Sequence, residues 1–448
     1  MSFRANVPKS NTRIHRSNPE TKGVIAGLVI VALFASGLAV ATRIHRNNND
    51  VPVTDIASID ADRVVAVVSI SYEFEYQTPE DRGDLAFILD DGSYRLLSNA
   101  GLDSKTDQSL LWNDHGLFAV DAENDLLITK QDDNTFAMET TPHHKDGFLD
   151  AMIPTEQGKS RLAVFDIGFD NLADGTPSWQ YEYQISYGTG TSFADANVTI
   201  DESETSHAAL YAACGNDAFT ATNDNQRKEG ISTLRHLTNG DTVVNRVVSQ
   251  TRNPLGQTLF AEDVGICRSN TIYSLAIQLL PEDIAPISAE GKSAYPSLET
   301  WNVSTGTRQS IPLHSPESET LDNFEERLSY ASYLGSPIQG NRLLWISGKG
   351  ELMATDISSG STEMLNDDYL LNRPSNSSDV YASIDKNRVS SLMCPLGNDD
   401  ECTLTFYRTG DGSTEKHLVL RGLSKNFNLH YSTQGFAVNP DYDWSKWE

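Results

Sequence analysis

From about residue 54 onward the chain alternates in a fixed texture. Short runs rich in Val, Ile, Leu, Phe, Tyr and Thr are separated by clusters of Gly, Asn and Asp. No long stretch carries a sustained helical apolar period. The pattern is that of β-strands joined by tight turns, and it predicts an all-β body.

Two phrases recur within this texture. The first is a strand, a turn closing on Gly or Asn, and a second strand, as in "LAFILDDGSYRLLS" and "LMATDISSGSTEML". Its closing turn residues are Gly92, Asn134, Gly190, Gly240, Gly306, Gly360 and Gly412, spaced by 42, 56, 50, 66, 54 and 52 residues. Gly and Asn recur there because a tight hairpin needs positive φ. The second phrase is a strand, a tight turn and a strongly apolar strand: "NDHGLFAV", "EQGKSRLAVF", "CGNDAFTAT", "CRSNTIYSLAI" and "IQGNRLLWIS". Two further copies are nearly identical, "ASIDADRVVAV" from Ala57 and "ASIDKNRVSSL" from Ala382.

Interleaved, the phrases define units of four strands, A to D, with short A–B and C–D turns. Four-stranded units of roughly 40 to 60 residues are the blades of a β-propeller. Seven hairpins predict seven blades. "NFNLHYSTQGFAV", Asn426 to Val438, repeats the A–B phrase with no C–D hairpin after it. It leaves eight blades open. Alternatively it serves as strand A beside "RVVAVVSISY" and closes the ring, which removes an open edge. A tandem of two β-sandwiches is the other all-β arrangement, but it leaves the double-turn phrase unexplained.

One segment breaks the texture. Gly23 to Ala41, "GVIAGLVIVALFASGLAVA", has no charged residue in 19. As a helix it would span roughly 28 Å, close to the hydrocarbon thickness of a bilayer. Arg4, Lys9, Arg13, Arg16 and Lys22 precede it, and Arg43 and Arg46 follow. The positive-inside rule then places the N-terminus in the cytoplasm. The expected layout is a basic cytoplasmic tail (1–22), a single transmembrane helix (23–41), a linker (42–56), an extracytoplasmic propeller (57–440) and a C-terminal tail (441–448). The alternative is a cleaved signal peptide, because "AVA" before Thr42 fits a cleavage site. Both readings export the body, and no Cys follows the segment for a lipid anchor.

Charge narrows the partners. The net charge is -28, and the 402 residues after the first 46 carry 27 bases against 61 acids. Such a body repels phosphate backbones, so nucleic acid is excluded as a partner, whereas a protein or cationic ligand is favoured. The four cysteines, Cys214, Cys267, Cys394 and Cys402, suit an oxidising compartment. Cys214 and Cys267 each stand just before an A–B turn, in blades four and five. Cys394 and Cys402 flank the B–C connection "PLGNDDE" of blade seven. These placements predict the pairs Cys214–Cys267 and Cys394–Cys402.

The stretches "ELMATDISSGSTEML" and "SLETWNVSTGTRQSI" resemble the strand C, turn, strand D segment of quinoprotein-like (PQQ-like) propeller repeats. Members of that superfamily typically close each repeat with a Trp; here Leu365 and Ile311 stand near that place. The resemblance implies a propeller fold. It spans quinone-dependent dehydrogenases, which would need pyrroloquinoline quinone with Ca²⁺, and non-enzymatic outer-membrane assembly scaffolds. Fold alone does not choose between them.

In an A–B–C–D blade, the A–B and C–D turns share one face of the ring, and the B–C and D–A connections share the other. Several of the latter are long and acidic, and long loops on a rigid scaffold are where recognition usually lives. The expected binding face therefore carries Asp170, Asp174, Glu282, Asp283, Asp367 and Asp368, with His143, His144, His207 and His314 on D–A connections. No His-Glu-x-x-His or Gly-x-Ser-x-Gly motif is present, and no catalytic carboxylate pair stands out by spacing. "DIGFDNLADG" is dense in oxygen ligands but lacks the spacing of a calcium loop. Arg82-Gly83-Asp84 spells an adhesion tripeptide. The sequence thus points to a membrane-anchored binding or scaffold propeller without an assigned cofactor. A propeller enzyme (a quinoprotein-like dehydrogenase or a hydrolase) and a cell-surface adhesin are the alternatives.

Overall fold

The computed structural model describes residues 52–447 apart from residues 54, 73–82, 98–108, 121–123, 143–147, 156–159, 172–176, 191, 202–208, 225–229, 254–256, 262–263, 280–293, 319–320, 329–330, 336, 368–377, 386–387, 396–400 and 427–430. The expected membrane span lies outside these residues. Among the described residues no helix is long and apolar enough to cross a membrane.

The described strands form seven sheets, each with four antiparallel strands in the order A–B–C–D. Blade two runs Leu111–Asn113, Gly116–Val120, Asn124–Lys130 and Phe136–Pro142. Blade three runs Phe148–Thr155, Ser160–Asn171, Pro177–Thr189 and Ser192–Asp201. Blade four runs Ala209–Cys214, Asp217–Asp224, Gly230–Asn239 and Thr242–Asn253. Blade five has a broken strand A, Gln257–Phe260 and Ile266–Arg268, followed by Thr271–Leu279, Ala294–Asn302 and Arg308–Pro312. Blade six runs Ile338–Gln339, Arg342–Ile346, Leu352–Asp356 and Thr362–Asn366. Blade seven runs Ser378–Ile384, Arg388–Pro395, Cys402–Arg408 and Thr414–Leu420.

Blade one is assembled from both ends of the propeller. Its strands B to D are Val64–Tyr72, Asp84–Leu89 and Tyr94–Leu97, and its strand A is Tyr431–Val438. The pairing is antiparallel and runs from Ala66 opposite Val438 to Tyr72 opposite Tyr431. The last A–B phrase therefore closes a seven-bladed ring and builds no eighth blade. Closure also explains why the twin phrases diverge. After Ala382 the chain completes strand A and turns into strand B. After Asp55, strand A is already supplied by the C-terminal segment. Ile56–Ser58 and Ala61–Arg63 instead form single 3-10 turns, capped by the Asp55 and Asp60 carboxylates on the Ala57 and Asp62 amides.

The core is made of strand residues trapped between adjacent blades. Leu275 and Leu298 of blade five share one cluster with Leu344 and Trp345 of blade six. The C–D turns add a second kind of contact. Gly360 (φ 76°) and Gly412 (φ 71°) have left-handed backbone that side chains resist. Each also lies against strand D of the preceding blade. A Cβ on Gly412 would stand 2.8 Å from Leu365 Cβ, and one on Gly360 would run into the Pro312 carbonyl beside Ile311. Gly92 and Gly306 meet Val419 and Ser249 in the same way. The turn glycine thus serves two ends, its hairpin and the docking of its blade.

Among the described residues, two buried charged groups bridge strands. Arg161 and Asp125, from blades three and two, are both fully buried and bonded to each other. Ser186 Oγ donates to the other Asp125 oxygen at 2.8 Å, and the guanidinium lies 4.6 Å from the Phe193 ring centroid. Burial pushes the Arg161 pKa down to about 9, with the Asp195 carboxylate opposing, so it stays charged at neutral pH. In blade five, Gln278, Glu299, Arg308 and Thr258 form a ladder of 2.8 Å bonds across the sheet.

Both expected disulfides are formed. Cys214–Cys267 joins the innermost strands of blades four and five with Cα atoms 5.3 Å apart, and Cys394–Cys402 joins strands B and C of blade seven at 4.3 Å.

Candidate functional site

The seven A strands run down the axis of the ring, so their ends converge at the A–B turns. There they enclose a cavity of about 960 Å³. Each blade contributes from the same register: Ala437 and Val438 from blade one, Trp112 and Asn113 from two, Ile153 to Thr155 from three. Ala213 and Gly215 come from blade four, Cys267 and Arg268 from five, Ile338 from six, and Ile384 and Asp385 from seven. Phe436, Trp444 and Trp112 add aromatic surface to its lining.

The rim is held by fixed charges. Arg388 donates from Nε to Glu415 at 2.6 Å and from its backbone amide to the Asp385 carboxylate at 2.7 Å, and stacks its guanidinium 4.7 Å from the Trp444 ring centroid. Arg268 bonds the Gly340 carbonyl and bridges the A–B turns of blades five and six. Asp441 stands beside Asp114; partial burial and that like charge push its carboxyl above the ordinary range, with Lys130 opposing. The Cys214–Cys267 disulfide ties two sectors of the same rim.

Trp444 reaches the mouth because the C-terminal segment folds back on the ring. Asn439 donates its amide N–H to Val65 and its side chain to Val64, at 2.9 and 2.8 Å. Tyr442, Trp444 and Trp447 then pack against one another at tilted or edge-on angles, and Trp444 and Trp447 also pack against Phe406 of blade seven. Burial pushes the Tyr442 phenol up to about 12.

The residues expected to bind from the opposite face fall mostly outside the described residues. His143, His144, Asp174, His207, Glu282, Asp283 and Asp368 lie there, as does the Asp170 side chain, whose backbone belongs to strand B of blade three. His314 is described: it exchanges backbone bonds with Gly360 and Thr362, at 3.1 and 2.7 Å, and serves blade docking. Asp367 is exposed at the end of strand D of blade six. The opposite face is not uniformly long-looped, because strands B and C of blade two are joined by residues 121–123 and those of blade six by a tight turn at Ser347–Gly350. That turn anchors the helix Phe324–Leu328, whose Arg327 grips buried Glu351 with bonds of 2.7 and 2.8 Å. Asp84 of the adhesion tripeptide is the first residue of a strand. Among the described residues no three His, Cys, Asp or Glu side chains gather as a metal-binding group.

Trp112, Arg268, Arg388 and Trp444 were not evident as site residues from sequence. The available signal was the A–B phrase itself: a turn repeated in every blade must ring the axis, so its flanking residues face one opening.

No family model matches the chain, and no curated protein does. Among solved structures, the cobalt-substituted apocarotenoid oxygenase of Synechocystis is similar at 8% identity with a TM-score of 0.47, covering 85% of this chain and 94% of that one. BamB from Moraxella catarrhalis is similar at 11% identity with a TM-score of 0.34, covering 71% of this chain and 89% of that one. These likenesses are too distant to bear on function. What the blades, their closure and their pairing establish is that the chain is an all-β, seven-bladed β-propeller.

Proposed function

We propose that this protein is a binding and scaffold propeller, membrane-anchored through residues 23–41 and exposed outside the cytoplasm, which holds its ligand at the axial mouth. The cavity of about 960 Å³ carries the reading. It sits where the short A–B turns of the blades meet. It joins aromatic surface to charges already fixed by neighbours, which suits recognition with little ordering cost. The acidic body and the two disulfides support the exported setting. The contacts of Gly360 and Gly412 with Ile311 and Leu365 support a PQQ-like repeat in which an aliphatic side chain does the docking.

Site-specific photo-crosslinking in the cells that make the protein tests this. A crosslinker replacing Trp112 should yield discrete adducts, and one replacing Glu282 in the B–C connection of blade five should not. Adducts only from position 282 would return recognition to the long-loop face. Labelling of intact cells by an impermeant thiol reagent at S413C but not S10C is expected; the reverse pattern would refute the topology.

A further inference from the structure

We infer that the Cys214–Cys267 disulfide is a reversible redox lock on the axial mouth, opened by dithiol reductants, and that Cys394–Cys402 is not. The two bridges differ in place and in access. Cys394 and Cys402 are 1% and 0% exposed and join neighbouring strands inside one blade. They lie in the core shared by blades seven and one. Cys214 is 9% exposed, Cys267 is partly buried, and Cys267 lines the cavity at the mouth. A small dithiol can therefore approach this bridge from the cavity. Attack by a thiolate on a disulfide sulfur depends on such access.

The accessible bridge also ties two blades, and its ends stand 53 residues apart in sequence. On the blade-five side the tied segment is short. Ile266–Arg268 is a strand of three residues. The turn after it holds Ser269 and Asn270 in left-handed backbone, φ 51° and 62°, which residues other than Gly resist. Across the seam, Val264 bridges Tyr211, and the Gly265 amide donates to the Tyr211 carbonyl at 2.7 Å. Leu210 and Phe219 of blade four also share a cluster with Ile272 and Trp301 of blade five. These contacts keep the blades docked when the sulfurs part. What gains freedom is the wall of the mouth formed by Gly265, Ile266, Cys267 and Arg268, which all line the cavity. In the opening step a thiolate of the dithiol attacks one sulfur and expels the other cysteine as a thiolate, which takes up a proton. The second thiol of the reductant then displaces the first cysteine in the same way. The protein gains two electrons and two protons, and the reductant leaves as its own disulfide.

The test uses the full-length protein in detergent, titrated with dithiothreitol and trapped by alkylation for peptide mapping. Cys214 and Cys267 should become alkylated at roughly tenfold less reductant than Cys394 and Cys402. Amide exchange in 211–215 and 264–268 should then speed up by roughly threefold or more, while exchange in blade seven stays unchanged and reoxidation restores the slow rates. The double variant C214S/C267S should exchange fast at those residues from the start and ignore the reductant. If that variant does not fold, C394S/C402S takes its place and should keep the full response. Both bridges opening together, Cys394–Cys402 opening first, or reduction of Cys214–Cys267 with no change in exchange would each overturn the lock. None of these readouts needs a ligand, so a failure to crosslink at position 112 removes the binding reading and leaves this one standing.

Discussion

At the scale of single residues, the decisive feature is that buried charges come with their partners. Removing Arg161 leaves the Asp125 carboxylate in an apolar seam between two blades, so R161M should lose about 3–5 kcal/mol of stability. The double variant R161M/D125L should lose clearly less than the sum of the single losses, as measured by urea unfolding. Additive losses would mean the two side chains do not act as a unit. Glu351 gives a pH signature. Burial alone would raise its pKa, but bonds from Arg327 and Ser347 outweigh this and hold it below its ordinary 4.5. A carboxyl whose folded pKa is depressed contributes stability that is complete above its unfolded pKa and disappears as pH falls through the folded one. Between pH 7 and pH 3 the wild type should therefore lose more stability than E351Q, and equal losses would remove Glu351 from the acid limb.

At the scale of elements, the turn glycines separate two roles that the sequence merges. Gly240 and Gly412 both have positive φ, 56° and 71°, but only Gly412 has a neighbour where a Cβ would go. G240A should cost about 1–2 kcal/mol from backbone strain alone. G412A should add about 1–3 kcal/mol of overpacking, read from the difference in urea midpoints. Equal costs would show that the contact with Leu365 yields freely. The hairpins were legible because period-two alternation and turn chemistry are local signals, readable at Asp90-Asp91-Gly92 as clearly as at Gly410-Asp411-Gly412. The disulfides were legible because repeats put Cys214 and Cys267 in equivalent places. The cavity was not, because Trp112 and Trp444 come to line one opening only after the ring closes, and at the break in strand A of blade five Val264 bridges to Tyr211 in another blade. The segment expected as a tail likewise shows no strand pattern. Its Tyr442, Trp444 and Trp447 acquire their place from Phe406, Arg388 and Lys416.

At the scale of the molecule, that aromatic clasp reinforces the closing strand. Deleting residues 441–448 uncovers Phe406 and removes the stacking over Arg388 and Lys416, and should lower the melting temperature while leaving the seven sheets intact by circular dichroism. An unchanged melting temperature would make the segment a passenger. Closure of blade one by Tyr431–Val438 has a consequence for how the protein is made. Strand B of that blade leaves the ribosome long before its partner, which follows all the other blades in the chain. Until Tyr431–Val438 has been made, Val64–Tyr72 must wait with a bare flank, and no product cut short before that strand can become a sealed circle. Truncated products are therefore left open, marked for disposal by the same edge that completion conceals.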